Sequence, residues 1–587
     1  MVTKKKIPPN PVESGAKEAC ARQAATTRAF LSSRARFEYL FLTLIGIATL
    51  YLALQGLGNH CFWDDEATTA IMARNFIKTG SLTGWDGRNL WTYHDGAAMN
   101  RSLHCIDPPG GSLVAAISFR LFGYSNSTGR LPFVVFGIAT LVFFWLLLSL
   151  EFRDNSEIRY YALLLTAFSY SFLLNIRQCR YYALCMFFSV TSYYLYMLTL
   201  EKRTYLRFCL LGVSLALLFY SNYLLCAAFL GAMVLLHLTF YIKSFTKADW
   251  AKLGLAVVLF SSLTLPYALW ERIWVRPDFS FKAQGPINLF VSSIIRLCQN
   301  LRDLDLIGYI PGYCLVIAAV LIIAQRKRIS ASPAVWRWAV LIIGYVLTLS
   351  VISPQPAIWS NVKGDLRFAD IRYLVVLLPF CAGICGWTLT LFHRFRFGRI
   401  LAVLGLAIIL SSNLLSFRLA DSRVRWLLPA YISEIHANFR TPYDAVVEFL
   451  ESKAAPNDLV YSSPEYTLCV LQWYLGEKLL TQGLLRPQTA LPRERLADLH
   501  ASLFLEDTFP RWIVCFGLKD PHCAGSIKFF SRTGYDYTCN SDKNTCTYID
   551  IFNSYLVDMT RPELPFHSFG PVTPVPRASG IYIFERH

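Results

Sequence analysis

Apolar runs long enough to cross a bilayer recur through the first 420 residues, and short basic stretches separate them. A spanning helix needs roughly 20 mostly apolar residues. One such run follows Phe37. Others lie near 131–150, 158–177, 181–200, 205–221, 223–242, 253–270, 306–324, 337–353, 372–391 and 399–417, about eleven in all by length. Only Ser221-Asn222-Tyr223 divides the stretch 205–242. With 54% hydrophobic and 16% charged residues, the composition agrees with a polytopic membrane protein.

The net charge of +17 sits largely in the connections between these runs, as in Arg326-Lys327-Arg328 and at Arg394, Arg396 and Arg399. That is the positive-inside pattern, so no nucleic-acid partner is needed to explain it. Residues 1–36 read as a basic cytoplasmic tail, 37–420 as a transmembrane domain, and 421–587 as an external α/β domain. In that last part, helical pieces near 443–450 and 464–475 alternate with strands at 458–461, 511–516, 546–552 and 580–584. It carries no catalytic constellation and reads as an accessory domain.

The chemistry concentrates in the external loop 59–130. There Cys61-Phe62-Trp63-Asp64-Asp65-Glu66-Ala67 follows the first span almost at once. Carboxylates at a hydrocarbon boundary are costly, and reduced dielectric makes their proton affinity tunable. One Asp would serve as a helix N-cap; a run of three carboxylates exceeds that need. Ala67 to Thr79 reads as a helix ended by Gly80, with Arg74 and Lys78 on one stripe. Ile71 and Phe76 suit either lipid or core, so this helix could lie in the interface plane. Ser112 to Phe122 forms a second short helix, closed by Gly123.

Arginine and tyrosine also gather at other outer turns, at Arg177, Arg180, Tyr181 and Tyr182, and at Arg372 and Tyr373. An aromatic belt with snorkelling cations accounts for the tyrosines. Outer-face arginines run against the inside-positive bias and are candidate phosphate ligands, because guanidinium matches phosphate oxygens bidentately.

Of the 16 cysteines, many lie inside apolar runs, where thiols behave as small hydrophobes. Cys539 with Cys546, on the arms of an expected hairpin, and Cys61 with Cys105 are the expected external disulfides. Zinc-type Cys/His spacing, a phosphate-binding P-loop, a dinucleotide fingerprint and a nucleophile elbow are all missing.

Taken together, Trp63-Asp64-Asp65-Glu66-Ala67, Pro108-Pro109 before Leu121-Phe122-Gly123 and Arg130-Leu131-Pro132, Arg180-Tyr181-Tyr182-Ala183-Leu184, and Arg372-Tyr373 resemble a known family. The chain is similar over about 37–420 to the lipid-sugar-dependent glycosyltransferases of the GT-C type. Within these it looks most like bacterial relatives of protein O-mannosyltransferases and of the lipid A aminoarabinose transferase. Gly110-Gly111 stands where the family usually has Leu after Pro-Pro.

The resemblance implies transfer of a sugar from a polyprenyl-phosphate donor to a lipid, glycan or protein hydroxyl, with inversion, at the outer face of the plasma membrane. It places Asp65 as the base and Glu66 beside it, with Asp64 as an extra catalytic neighbour. Arg74, Lys78, Arg177, Arg180, Tyr182, Arg372 and Tyr373 are the candidate substrate-binding residues. No cofactor is required; a divalent metal at the acidic cluster is the disfavoured alternative. A transporter or flippase, and a non-catalytic lipid-sugar binder, are the competing readings. Nearly charge-free span centres and the lack of an internal repeat speak against transport.

Overall fold

The computed structural model describes residues 36–92, 104–105, 107–273, 286–304, 333–352, 371–415, 426–436, 441–463, 467–481, 510–516, 546–549 and 581–585. Residues 1–51 form one compact unit, which holds most of helix α1 (Arg36–Leu54), and residues 52–587 form the other.

Among the described residues seven helices are long and apolar enough to cross a membrane. They are α1, α4 (Asn126–Glu151), α7 (Tyr182–Glu201), α9 (Tyr223–Phe240), α10 (Lys247–Glu271), α12 (Pro333–Ile352) and the stretch Arg372–Leu391, which ends in α13 (Leu378–Leu391). Three shorter apolar helices are α3 (Pro109–Phe122), α8 (Tyr205–Ser221) and α14 (Gly398–Ser411). The expected span at 306–324 lies outside the described residues. The chain is a polytopic α-helical membrane protein with a small C-terminal sheet.

Two expectations about span boundaries come out differently from each other. The narrow divider between α8 and α9 is a true break: Asn222 is extended (ψ 121°) and its side chain accepts the N–H of Leu225, capping α9. The run 158–177, expected as one span, is instead α5 (Ser156–Ala167) and α6 (Tyr170–Ile176), separated where Ser169 turns extended at ψ 127°. Neither piece alone reaches the roughly 20 residues a crossing requires.

Helix α2 (Asp64–Thr79) is buried along most of its length between α3 and α17 (Leu468–Leu475), so Ile71 faces core and the helix is not an interfacial one. Gly80 closes it in the left-handed region at φ 74°.

The C-terminal elements are α15 (Leu427–His436), α16 (Pro442–Lys453), β1 (Leu459–Ser463), α17, β2 (Leu480–Thr481), β3 (Trp512–Phe516), β4 (Cys546–Ile549) and β5 (Ile581–Glu585); α11 (Pro286–Asp303) precedes α12. The sheet runs β2-β1-β3-β5-β4, parallel through β3 and antiparallel at β5 and β4. Its core of Val446, Leu450, Val460, Leu471 and Val514 also takes in Cys61 from the segment between α1 and α2. The loop and the sheet are further tied where Asn89 Oδ1 accepts the Thr481 N–H at 2.8 Å. Cys61 and Cys105 are buried thiols, not a disulfide, because Cys61 belongs to that core. Cys539, with its arm 535–539 of the expected hairpin, lies outside the described residues, whereas the other arm is β4.

Candidate active site

Trp63 is the N-cap of α2, in extended backbone, so Asp64, Asp65 and Glu66 fill the first helical turn. Acids there face the positive end of the helix dipole. Successive side chains on a helix point about 100° apart, so the three carboxylates enter three different environments.

Glu66 turns inward and is 1% exposed. Arg130 grips it bidentately, Nε to Oε1 at 2.8 Å and Nη2 to Oε2 at 2.7 Å. The remaining donors of Arg130 go to the carbonyls of Leu57, His60 and Cys61 at 2.9–3.1 Å. Glu66 Oε1 also accepts the backbone N–H of Cys179 at 2.8 Å. One buried pair thus joins the end of the first span, α2, α4 and the turn between α6 and α7. Holding Cys179 at Glu66 sets the next residue, Arg180, opposite Asp65.

Asp65 is half-buried, with a quarter of its side chain open to solvent. Its Oδ1 lies 3.1 Å from Arg180 Nη2 and its Oδ2 3.2 Å from Arg372 Nη1. Arg180 also reaches the Asp65 carbonyl and lies over the Tyr181 ring at 5.1 Å. Asp64 takes a third direction; its Oδ1 accepts the Asp65 N–H at 2.9 Å. Burial, then the neighbouring Asp65 charge, pushes the Asp64 carboxyl up to about 7, against the pull of that hydrogen bond and the two arginines.

Two of the nominated cations, Arg180 and Arg372, therefore converge on Asp65, and three do not. Arg74 donates to the carbonyls of Trp473 and Gln472 at 3.1 and 3.2 Å and lies over the Trp473 ring, clamping α17 onto α2. Arg177 donates to the carbonyls of Leu52 and Gln55 and to the Tyr431 hydroxyl. Lys78 is exposed in the last turn of α2, 13 residues beyond Asp65 and so ~20 Å along the helix. Tyr182 is buried against Tyr181, with centroids 4.7 Å apart, and the Tyr373 carbonyl accepts from Tyr345.

Arg130, which enters the sequence pattern only through Arg130-Leu131-Pro132, is the structural partner of Glu66, and part of 421–587, expected as an accessory domain, comes up beside the acids. Tyr474 accepts the Phe62 N–H at 2.7 Å. The Trp473-Tyr474 pair was the signal available. Among the described residues no three His, Cys, Asp or Glu side chains come together as a metal site.

No curated protein sequence matches the chain. ArnT from Cupriavidus metallidurans in the apo state is 13% identical, with a TM-score of 0.49 over 84% of this chain and 95% of that one. ArnT bound to undecaprenyl phosphate gives 13% identity and a TM-score of 0.48, over 84% and 94%. The archaeal oligosaccharyltransferase AglB from Archaeoglobus fulgidus, with an inhibitory peptide and a dolichol-phosphate, is 11% identical, with a TM-score of 0.49 over 94% and 89%. The stretch 107–270, which holds Arg130, Cys179 and Arg180 of the site just described, matches the family model of dolichyl-phosphate-mannose-protein mannosyltransferase.

Proposed function

We propose that this protein is a membrane glycosyltransferase that moves a sugar from a polyprenyl-phosphate donor to an acceptor hydroxyl on the outer face of the membrane. The observation that carries this reading is one partly open carboxylate, Asp65, held between two arginines from distant segments. The family match over 107–270 supports it, since that description names a dolichyl-phosphate-linked sugar.

In this reading Asp65 accepts the proton of the acceptor hydroxyl as its oxygen attacks the anomeric carbon. The bond from that carbon to the phosphate oxygen breaks, and its electron pair leaves on the phosphate. General-base assistance of this kind is worth about 10²–10⁴-fold. Arg180 and Arg372 neutralise the departing phosphate; fixed cations in a low-dielectric site need little reorganisation to do so. Arg180 Nε is a buried donor with no hydrogen-bond partner among the described residues, which suits it to an incoming anion. Glu66, committed to Arg130 and Cys179, is a positioning residue. Attack opposite the phosphate inverts the anomeric centre.

The test is sugar transfer by the purified protein in detergent, from synthetic polyprenyl-phosphate mannose to hydroxyl acceptors extracted from the cell envelope. Release of polyprenyl phosphate with a product of opposite anomeric configuration is expected. A wild-type protein that releases none would overturn the reading, and retained configuration would overturn the single displacement.

A further inference from the structure

The first turn of α3 is wedged between the Asp65 site and a second feature. A Cβ at Gly111 would meet Thr69 and Tyr181 at 3.7 and 3.8 Å, next to Arg180. A Cβ at Gly110 would stand 2.7 Å from the Tyr220 carbonyl, so only glycine lets α3 seat there. Pro109 and Leu113 of the same helix line a cavity of about 600 Å³, a size typical of small-ligand sites, which run ~300–1,000 Å³.

Its walls are largely aromatic: Phe76, Tyr220, Tyr267 and Trp270. His104 lines it as well, and the ring meets Trp270 edge-on with centroids 5.1 Å apart. His104 Nδ1 lies 2.8 Å from Glu271 Oε1, and the Glu271 side chain is wholly buried. The Asp65 carboxylate is held instead by Arg180 and Arg372.

We propose that this cavity is a saccharide-binding subsite for the distal part of a glycan acceptor. Tyr220, Tyr267 and Trp270 offer rings to the C–H face of a sugar, and the His104–Glu271 pair sets polar groups beside its hydroxyls. An isoprenoid chain in the same cavity would lay hydrocarbon against His104 and the carboxylate paired with it, which is unfavourable for polar groups. A sugar, apolar on one face and hydroxylated at its rim, matches both kinds of wall.

Phe76 is 11 residues beyond Asp65 on α2, ~16 Å at the helical rise. A sugar bound here is therefore not the unit that reacts; it anchors an extended acceptor whose terminal hydroxyl reaches Asp65. That role rests on the transferase reading, whereas binding by itself does not.

The test is saturation-transfer NMR on the full chain in detergent. The probes are free mannotriose, chitotriose and maltotriose, a serine-containing hexapeptide and undecaprenyl phosphate. At least one trisaccharide should bind. Its affinity should fall at least about tenfold in Trp270→Ala and His104→Gln, a loss equal to one good contact. Trp270 is 62% exposed, so its loss leaves the fold intact. Asp65→Asn should bind the trisaccharide like wild type.

No trisaccharide binding, or binding unchanged in both variants, would overturn the subsite. So would loss of hexapeptide or undecaprenyl phosphate binding in those variants without loss of trisaccharide binding. Trisaccharide binding in a protein that releases no polyprenyl phosphate from its donor would retire the transferase reading and leave the subsite standing.

Discussion

Arg372 Nη1 donates to Asp65 Oδ2 at 3.2 Å, joining residues 307 positions apart in the chain. Arg180 holds the other oxygen of the same carboxylate from a turn 115 positions away. The candidate base is thus positioned by two segments at once, and either can be perturbed separately.

Asp65→Asn keeps size and hydrogen bonding while removing the basic electron pair. Transfer should fall at least about a hundredfold, the usual lower bound for a general base. Undecaprenyl phosphate binding should persist. If Asp65→Asn transfers normally and Asp64→Asn is dead, the base has been assigned one residue too late; if both remain active, the mechanism is wrong.

Arg372→Ala should instead weaken undecaprenyl phosphate binding. A hydrogen bond to a charged group contributes about 1.5–3 kcal/mol, or roughly 10- to 100-fold in affinity. Equilibrium binding in detergent measures this directly. Wild-type affinity in both Arg372→Ala and Arg180→Ala would remove the arginines from the phosphate site.

The Glu66–Arg130 pair should behave as a buried staple. Removing one partner strands a buried charge, at about 3–5 kcal/mol, whereas replacing both by apolar residues is far milder. Glu66→Gln and Arg130→Met should each lower the melting temperature sharply, and the double variant Glu66→Leu/Arg130→Met should lose less than the two single losses added. It should stay below wild type, because the Leu57, His60 and Cys61 carbonyls and the Cys179 N–H lose their partners. Single variants that melt with the wild type would contradict the assignment.

Asp64 predicts a pH effect. Its folded value near 7 lies above its ordinary 3.8, so the native state binds the proton more tightly than the unfolded chain. The resulting stability is complete below pH 3.8 and is lost as pH rises through about 7. Asp64→Asn, which cannot ionise, should melt higher than wild type at pH 8, and the difference should shrink toward pH 5. Parallel melting curves across that range would refute it.

Arg74→Ala should loosen α17 from α2 without touching the phosphate site, since its donors go to the Trp473 and Gln472 carbonyls. Limited proteolysis should cut the C-terminal part faster, while undecaprenyl phosphate affinity stays the same. A drop in that affinity alone would return Arg74 to the ligand set. For orientation, a reporter active only outside the cytoplasm should be active when fused after residue 440 and silent after Arg328; the reverse would invert the topology.

Much of this protein was legible in its sequence, because the properties concerned are local. Spanning is decided by the transfer free energy of some 20 consecutive side chains, so α4, α7, α9, α10 and α12 stand in the expected places. The acids at the mouth of the first span, the stop at Gly80 and the strands at 459–463 and 512–516 were readable for the same reason.

The pairing of charges was not. Asp64, Asp65 and Glu66 are adjacent and chemically alike, and only the helix turning them apart gives one a pair of arginines, one a buried staple and one a raised proton affinity. The nominated arginines looked equivalent, yet Arg180 and Arg372 reach Asp65, while Arg74 turns to the Trp473 and Gln472 carbonyls and Asp86, and Arg177 to the Leu52 and Gln55 carbonyls and Tyr431. Those outcomes depend on contacts between residues scores to hundreds of positions apart, and such contacts leave no periodicity or local composition in the chain. Only the packing of α2 against α4, the α6–α7 turn and α17 decided them.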